Sequence, residues 1–433
     1  MRVLHFGASD LFGGAARSAY RLHQGLNRLG LESSMLVARR ASADESVVEF
    51  VPARDIVRRG IRGVLRWRNA REVAAYDATR PAGFEPFHTE RSRFAAEQSH
   101  WPLPSGVFNL HWISEFVDYA ALLPRLATHG PIVWTLHDMN VVTGGCHYDH
   151  ECGRYRQGCG NCPQLGSGRE EDLSRAVWLR KHRVFSKIPA ERLHFVTPSA
   201  WLKQVVEASP LAAGFAVSVI PYGLDTDVFA PRDKAMAREQ LGLPQDARVI
   251  LFVAHSSDIR RKGFDLLTAA LAGLEDDVTL LTVGEGGKME GLDLSEVRLG
   301  RVEEDERLAL IYSAADVFVI PSREDNLPNT VLESLACGTP VAGFAVGGIP
   351  EMVRDGVTGC LAPRGDVRAL RAGITTLLSN ADRQREMSQT CRRVALAGYR
   401  LELQAERYRN LYANMLKPST SGEESATAAT RHG

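Results

Sequence analysis

The sequence predicts an α/β protein of two domains, each built around a parallel β-sheet. The chain has 433 residues, and a single hydrophobic core usually stops growing at roughly 250–300 residues. Short runs of β-branched residues alternate with segments of helical period along almost the whole chain, which is typical of strand–helix–strand units. The series breaks at 221–223 and at Pro231, where turn chemistry indicates a boundary between two copies of one architecture.

Each half of the chain supplies one set of strands. The predicted strands are Val3–Phe6, Ser34–Val37, Val107–His111, Ile132–Leu136, His194–Thr197 and Val217–Ile220, then Val249–Val253, Val278–Val283, Asp316–Ile320 and Val341–Phe344. The predicted helices include Ala15–Leu29, Phe264–Leu274, Glu304–Ala314 and the stretch Ala381–Leu416. We therefore expect an N-terminal domain at 1–215, a C-terminal domain at 216–400, a helix at 401–417 that packs back on the first domain, and a disordered tail at 418–433.

The composition argues against several classes of protein. Acidic and basic residues balance at 52 each, so no global field favours nucleic acid as a partner. No run of 18 or more apolar residues predicts a membrane span, and the segment Met1–Gly7 lacks the apolar region of a signal peptide. We therefore expect a cytoplasmic protein, in which the seven cysteines do not form stable disulfides.

The segment from Val319 to Pro350 carries the strongest chemical signal. A buried strand ends at Pro321, a polar loop follows, and a helix begins near Pro328. The free backbone N–H groups at such a helix start, beyond the carboxyl end of a strand, suit a diphosphate. Asp325 lies in the loop, and Glu333 lies eight residues further on, inside the helix. Because a carboxylate can accept two hydroxyl groups, this pair suits a ligand that also carries many hydroxyls.

This segment resembles the donor-binding signature of family 4 glycosyltransferases, which have the two-Rossmann GT-B fold. The signature has two acidic residues eight apart, followed by a turn that here is Ala336–Val341. The resemblance implies that Asp325, where the family usually has Glu, contacts the transferred sugar and that Glu333 contacts the ribose. The alternative is that Asp325 caps the helix and Glu333 is a solvated residue. The other donor-binding residues that the resemblance implies in this segment are Asn326, Leu327, Asn329 and Thr330.

Further matches lie earlier in the C-terminal half. Arg260–Leu267 resembles the R/K-K-G segment of the family, which implies that Lys262, with Arg261 beside it, meets the leaving diphosphate. A basic loop of this kind, taken alone, is more often simply solvated. Val302 lies in a segment that resembles the one framing the nucleobase.

Two features of the N-terminal half complete the resemblance. The loop at Gly13 and Gly14 lies between the first strand and the first helix, where backbone N–H groups could approach a phosphate. His137 follows an apolar strand and matches a family histidine close to the transferred sugar. The alternative is a histidine that is only hydrogen-bonded structure.

The resemblance implies a retaining hexosyltransferase that moves a sugar from a nucleotide diphosphate to a glycan or polyprenyl-linked acceptor. It implies a role in surface or exopolysaccharide biosynthesis, with no cofactor required for catalysis. Two other classes stay open. One is a nucleotide-sugar epimerase, or a phosphorylase, on the same fold; the other is a non-catalytic protein that binds sugar nucleotides.

Four cysteines cluster after His137. Cys146, Cys152, Cys159 and Cys162 have the spacing C-x5-C-x6-C-x2-C, which in a cytoplasmic protein favours a structural zinc ion. The alternative is a set of reduced thiols, or a disulfide formed on extraction. The stretch 143–165 resembles a cysteine-rich insert found in exopolysaccharide and colanic-acid-type glycosyltransferases, so we call it the cysteine-rich insert.

The segment Arg54–Arg71 combines seven arginines with interleaved apolar residues. As a helix, Val57, Ile61, Val64 and Leu65 fall on one face with arginines beside them. Such a helix suits the surface of an anionic membrane, which would make the protein peripheral at the inner face of the membrane. The alternative is a solvated helix packed on its own domain.

Overall fold

The computed structural model describes residues 1–256, 259–274, 277–285 and 294–417. It has two α/β domains, each with one parallel sheet, and so confirms the predicted fold class. The tail expected at 418–433 lies outside these residues.

The first sheet consists of parallel strands buried at its centre. In chain order its strands are β1 (Arg2–Ser9), β2 (Glu32–Arg39), β3 (Val47–Glu49), β4 (Val107–Leu110), β5 (Ile132–Thr135), β6 (Leu193–Thr197) and β7 (Ala216–Val219). Their order across the sheet is β3-β2-β1-β4-β5-β6-β7. Every residue of β4 and β5 is buried, because helices cover both faces, and such strands read as continuous apolar runs.

The second sheet repeats this architecture. Its strands are β8 (Arg248–Ser256), β9 (Val278–Glu285), β10 (Ser295–Arg298), β11 (Val317–Ile320), β12 (Val341–Phe344) and β13 (Gly359–Ala362). Their order is β10-β9-β8-β11-β12-β13. The strands that the sequence did not predict, β3, β10 and β13, all lie at sheet edges. An edge strand is partly solvated and needs no apolar run.

Helices cover both sheets. In the first domain they are α1 (Gly14–Arg28), α2 (Ile56–Ala74), α3 (Ala95–Gln98), α4 (Tyr119–His129), α5 (Leu173–Phe185) and α6 (Ala200–Glu207). In the second they are α7 (Lys234–Leu241), α8 (Phe264–Leu271), α9 (Asp305–Ala314), α10 (Asn329–Ala336), α11 (Ile349–Met352), α12 (Val367–Leu378) and α13 (Ala381–Gly398), followed by α14 (Leu401–Met415). The predicted helix 381–416 is therefore two helices, α13 and α14, separated at 399–400.

The domain boundary lies later than the predicted 215/216. Strand β7 pairs with β6 and so belongs to the first sheet, which extends through Val219. A short strand does not reveal from its own sequence which sheet it joins, and only the turn after Ile220 ends the domain.

The chain crosses between the domains twice, at adjacent places. The backbone N–H of Leu224 donates to the carbonyl of Tyr399 at 2.8 Å, and the N–H of Leu401 donates to the carbonyl of Leu224 at 3.0 Å. Helix α14 then packs on the first domain. There the Tyr412 hydroxyl accepts from Asn109 Nδ2 at 2.7 Å, and the Tyr408 hydroxyl is 2.9 Å from Thr135 Oγ1.

Both sheets reverse their strand order at one point. In the first sheet this point lies between β1 and β4, and in the second between β8 and β11. Ligands of parallel α/β sheets bind beyond the carboxyl ends of strands at such switch points. The loops that follow β1, β8 and β11 contain Gly13, Lys262 and Asp325, respectively.

The contact between α1 and α14 leads to a stability prediction. A Cβ on Gly25 of α1 would lie 3.0 Å from Leu401 Cγ and 3.1 Å from Ala405 Cβ. We expect Gly25→Leu to lower the free energy of unfolding by about 1–3 kcal/mol, as overpacking does, and to lower the melting temperature in calorimetry. Gly60→Leu is the matched control, because nothing lies within 4 Å of a Cβ there. An unchanged melting temperature for Gly25→Leu would contradict the packing of α14.

Candidate functional site

Asp325, which is buried, and Lys262, which is half-buried, form an ion pair at the switch point of the second sheet. Lys262 Nζ donates to Asp325 Oδ2 at 2.7 Å, and Ser322 Oγ donates to the same oxygen at 3.2 Å. Burial alone would raise the pKa of Asp325, but the charges of Lys262 and Arg261 outweigh it and lower the pKa. Burial lowers the pKa of Lys262, against the attraction of Asp325. The structure thus brings the two predicted residues together as a charged pair.

Arg261 joins the two domains beside this pair. Its Nη1 donates to the carbonyl of Glu324 at 2.9 Å and lies 3.3 Å from Asp325 Oδ1. From the first domain, Glu85 forms an ion pair with Arg261, and the ring of Tyr148 lies 4.1 Å from its guanidinium carbon. Arg261 is therefore held by protein groups and does not point freely at a ligand.

Glu333 is also held across the domain interface. Its Oε1 accepts from Arg21 Nη2 of α1 at 3.0 Å, and its Oε2 accepts from the Tyr312 hydroxyl at 3.1 Å. Arg21 lies 3.3 Å from Asp305 as well. In this structure the carboxylate predicted to bind a ribose is therefore occupied by an arginine of the other domain.

The starts of α1 and α10 face each other across the cleft. Asn329, the first residue of α10, donates through Nδ2 to the Gly14 carbonyl at 3.0 Å and to Ser18 Oγ at 2.9 Å. No side chain caps either helix, and Gly13 at the start of α1 has a φ of 88°. Uncapped helix starts carry free N–H groups and partial positive charge. This arrangement is able to bind an anion between the domains.

Four other predicted donor residues have different surroundings. Asn326 accepts from Ser199 Oγ at 2.6 Å and donates to the His137 carbonyl at 3.1 Å, so it bridges the two domains. Leu327 is buried in the core of the second domain, and Val302 packs against that core. Thr330 is half-buried in the first turn of α10.

His137 lies in the cleft, but both of its ring nitrogens contact protein groups. Nε2 is 3.1 Å from His111 Nδ1, and Nδ1 is 2.7 Å from the Tyr222 hydroxyl in the connection between the domains. Burial lowers the pKa of His137 to about 4 despite the nearby Asp138. The ring is therefore neutral near pH 7, and its contact with a sugar stays a prediction.

The cysteine-rich insert reaches the second domain. Besides Tyr148 on Arg261, it carries His150, whose Nδ1 lies 3.5 Å from Glu324 Oε2 and whose Nε2 lies 3.7 Å from Glu85 Oε2. Burial raises the pKa of Glu324 to about 7.

All four cysteines of the insert are free thiols and line one cavity of about 20 Å³. As the side chains stand, no group of three or more His, Cys, Asp or Glu residues in the described ranges is positioned to hold a metal ion.

A larger cavity of about 510 Å³ opens between the domains. It begins at α1 and ends at the loop before α9, and we call it the arginine cavity after four of its lining residues, Arg17, Arg21, Arg39 and Arg301. Within the part of the chain that the structure describes, Arg21 Nη1 is buried with no hydrogen-bond partner. A buried donor of this kind is costly unless a ligand or water satisfies it.

Several residues that contact the candidate site were not predicted from the sequence. Arg21, Glu85 and Tyr148 contact site residues of the other domain, and a pairing across domains leaves no local signal. Gly347 is different. Its φ is 55°, and a Cβ placed there would clash with the Asp325 carbonyl oxygen, so the position requires glycine. The glycine pair after β12 was a readable signal for a close backbone approach.

Comparisons with known proteins agree with this geometry. Residues 247–380 match the family described as Glycosyl transferases group 1. The D-inositol 3-phosphate glycosyltransferase of Segniliparus rotundus is 35% identical over 204 residues, which are 42% of this chain and 45% of that enzyme. An enzyme of the same name from Mycobacterium sp. (strain KMS) is 28% identical over 369 residues, 81% of this chain and 74% of the enzyme. The alignments with the first relatives therefore span less than half of the relatives' length.

The likeness among solved structures extends over both domains. HepE of Anabaena, solved in complex with UDP and glucose, superposes with a TM-score of 0.64 at 16% identity, over 96% of this chain and all of that chain. At this identity the likeness concerns the fold. Residues 247–380 are therefore similar to a group 1 glycosyltransferase domain, and the whole chain has the two-domain GT-B fold.

Proposed function

We propose that this protein is a retaining glycosyltransferase that uses a nucleotide-diphosphate sugar. The observation that carries the proposal is the Lys262–Asp325 pair beside the two uncapped helix starts of α1 and α10. A leaving diphosphate gains negative charge as the bond to the sugar breaks, and preorganised N–H groups and a lysine stabilise that charge. The family match of the second domain supports the same reaction.

In this proposal the donor lies along the cleft in a defined direction. The diphosphate lies between the starts of α1 and α10, and the sugar lies toward Asp325. The nucleoside enters the arginine cavity, whose lining includes Arg301 and Glu303 on either side of Val302. HepE, a structural neighbour, is solved with UDP, which makes UDP the first nucleotide to test.

Donor binding then requires a change at Glu333. A ribose that hydrogen-bonds to Glu333 competes with Arg21, which now occupies one of its oxygens at 3.0 Å. A phosphate or ribose oxygen near Arg21 can satisfy both the displaced guanidinium and its unpaired Nη1. The exchange keeps the buried charges compensated, and this keeps its energetic cost low.

The acceptor approaches from the first domain, near His137 and the cysteine-rich insert. The relatives are named for D-inositol 3-phosphate, which differs from the expected exopolysaccharide or polyprenyl-linked acceptor. Helix α2 supports a lipid-linked acceptor: it runs for 19 residues without one buried residue. We retain this acceptor class, and the inositol phosphate is the alternative that an acceptor panel tests.

The exposed face of α2 suits an anionic membrane. Ile56, Val57, Val64 and Trp67 are each at least 60% exposed, and most of the arginines of the segment are exposed beside them. Arg62 instead turns inward, to Glu97. No helix in the described residues is both long and apolar enough to cross a bilayer. We propose that α2 lies on the surface of an anionic membrane, with apolar side chains inserted and arginines at the headgroups.

The first test measures the reaction itself. We expect release of a nucleoside diphosphate from one donor in a panel of UDP-, GDP- and dTDP-hexoses, with retained anomeric configuration of the product by NMR. Lys262→Ala should lower kcat by about 100–1000-fold, as loss of one transition-state donor does. Lys203→Ala, at a partly exposed lysine of α6 that pairs with Glu207, is the control. An inverted product would refute the mechanism, and binding without turnover would favour the non-catalytic alternative.

The second test examines Glu333. We expect UDP to bind about tenfold more tightly than 2′-deoxy-UDP by calorimetry, because a hydrogen bond to a charged group is worth about 1.5–3 kcal/mol. Glu333→Gln should remove this preference, whereas Glu306→Gln, at an exposed carboxylate of α9, should keep it. A ratio that Glu333→Gln leaves unchanged would exclude the ribose contact, even if overall affinity falls.

The third test examines α2. We expect the protein to co-float with phosphatidylglycerol vesicles but not with phosphatidylcholine vesicles. The double variant Arg66→Glu/Arg68→Glu should abolish flotation, while Arg407→Glu/Arg409→Glu on α14 makes the same change in net charge and should not. Equal binding to both kinds of vesicle, or equal loss in both variants, would refute the assignment of α2.

A further inference from the structure

We propose that the cysteine-rich insert binds one structural zinc ion through Cys146, Cys152, Cys159 and Cys162. The structure brings these four side chains, spread over 17 residues of sequence, to the walls of one cavity of about 20 Å³. A cavity of roughly 10–15 Å³ or more holds one particle of the size of a water molecule. Four thiols around a space for one ion are the ligand set of a closed, tetrahedral zinc site.

The backbone of the insert needs such a constraint. Its regular structure in the described residues consists of short 3₁₀ turns, at Arg154–Gln157 and Pro163–Leu165. The described residues include five non-glycine residues with positive φ, and four of them lie here: His150, Glu151, Cys159 and Asn161. A residue in this strained conformation persists only where the surrounding structure fixes it. A metal ion bound at four points along the insert supplies that fixation.

The surroundings of the cavity suit a charged metal–thiolate centre. The backbone N–H of Gly144 donates to Cys159 Sγ at 3.2 Å, the kind of contact that stabilises a metal-bound thiolate. Zinc with four thiolates has a net charge of −2. The charged residues that line the cavity are Arg154 and Asp149, and two further cations lie near the insert. Lys181 Nζ donates to the Thr143 carbonyl at 3.1 Å, and Arg175 Nη1 donates to the Gly158 carbonyl at 3.1 Å.

Metal binding requires a local rearrangement of the thiols. The four thiols line the cavity, but within the described ranges no three of them are positioned to coordinate one ion. Rotation of the four side chains toward the centre, with loss of their protons to solvent, would form the four Zn–S bonds. No electron transfer takes place, because zinc is not redox-active and the thiols stay reduced.

The ion would also fix the contact between the domains. Tyr148 and His150 lie between Cys146 and Cys152, and they contact Arg261 and Glu324 of the second domain. The zinc proposal itself does not depend on the proposed transferase activity. Only its consequence for the donor site rests on that function.

The test is metal analysis of the full chain, expressed in zinc-supplemented medium and purified without chelator or metal affinity resin. We expect one zinc per chain, and X-ray absorption should show about four sulfur neighbours near 2.3 Å. The double variant Cys159→Ser/Cys162→Ser should lose the zinc. Cys360→Ser, at a half-buried thiol of the second domain, should retain it.

A second measurement covers the case in which the double variant fails to fold. A strong zinc chelator should lower the melting temperature of the wild-type chain by several degrees, and added Zn²⁺, but not Mg²⁺, should restore it. The proposal would be overturned if the chain contained no zinc and all four thiols were reactive. It would also be overturned if two of the cysteines formed a disulfide, or if the site held iron in place of zinc. Oxygen or nitrogen neighbours in the absorption spectrum would overturn it as well. Transferase activity enters none of these readouts, so a failure here leaves the proposed function intact.

Discussion

The arrangement of the cleft depends on one buried cation, the guanidinium of Arg261. Its partners come from three separate parts of the chain: Glu85, Tyr148, and the backbone and carboxylate at 324–325. Removal of one partner of a buried charge pair typically costs about 3–5 kcal/mol, because the other charge is left uncompensated. The loop at 84–87, the cysteine-rich insert and the loop after β11 therefore cannot move independently. Arg261 also lies against Asp325, so the geometry of the first domain influences the carboxylate that is proposed to meet the sugar.

A second buried ion pair gives the cleft its present state. Arg21 and Glu333 are both about 95% buried, and their pairing joins α1 of the first domain to α10 of the second. Protein charges thus hold the two domains together at the carboxylate that the proposed ribose contact would need. Exchange of partners at Glu333 links ligand binding to the relative position of α1 and α10.

The sequence predicted the fold, and it placed Lys262 and Asp325 at the same edge of the second sheet, because both depend on local patterns. Buried central strands read as apolar runs, and the Lys262–Asp325 pair follows from two loops at the carboxyl ends of neighbouring strands, β8 and β11. Edge strands such as β10 escaped prediction because partial solvation removes the pattern. The role of Arg21 escaped because its partner lies 312 residues away in another domain. Local sequence also predicted that the cysteines cluster, but not that Tyr148 and His150, between them, reach Arg261 and Glu324.

The two adjacent crossings between the domains also determine how they can move. Leu224 exchanges backbone hydrogen bonds with both Tyr399 and Leu401, so the two connecting strands of chain behave as one bending element. Two parallel connections resist twisting and sliding of the domains more than they resist bending about the line along which the connections run. We therefore expect the two domains to open by rotation about a single hinge axis near Leu224. A rotation of a few degrees there produces a small displacement near Tyr222 and His137, beside the axis, and a displacement that grows with distance from it. The groups that lie farthest from the axis will separate first and define the path by which a ligand enters.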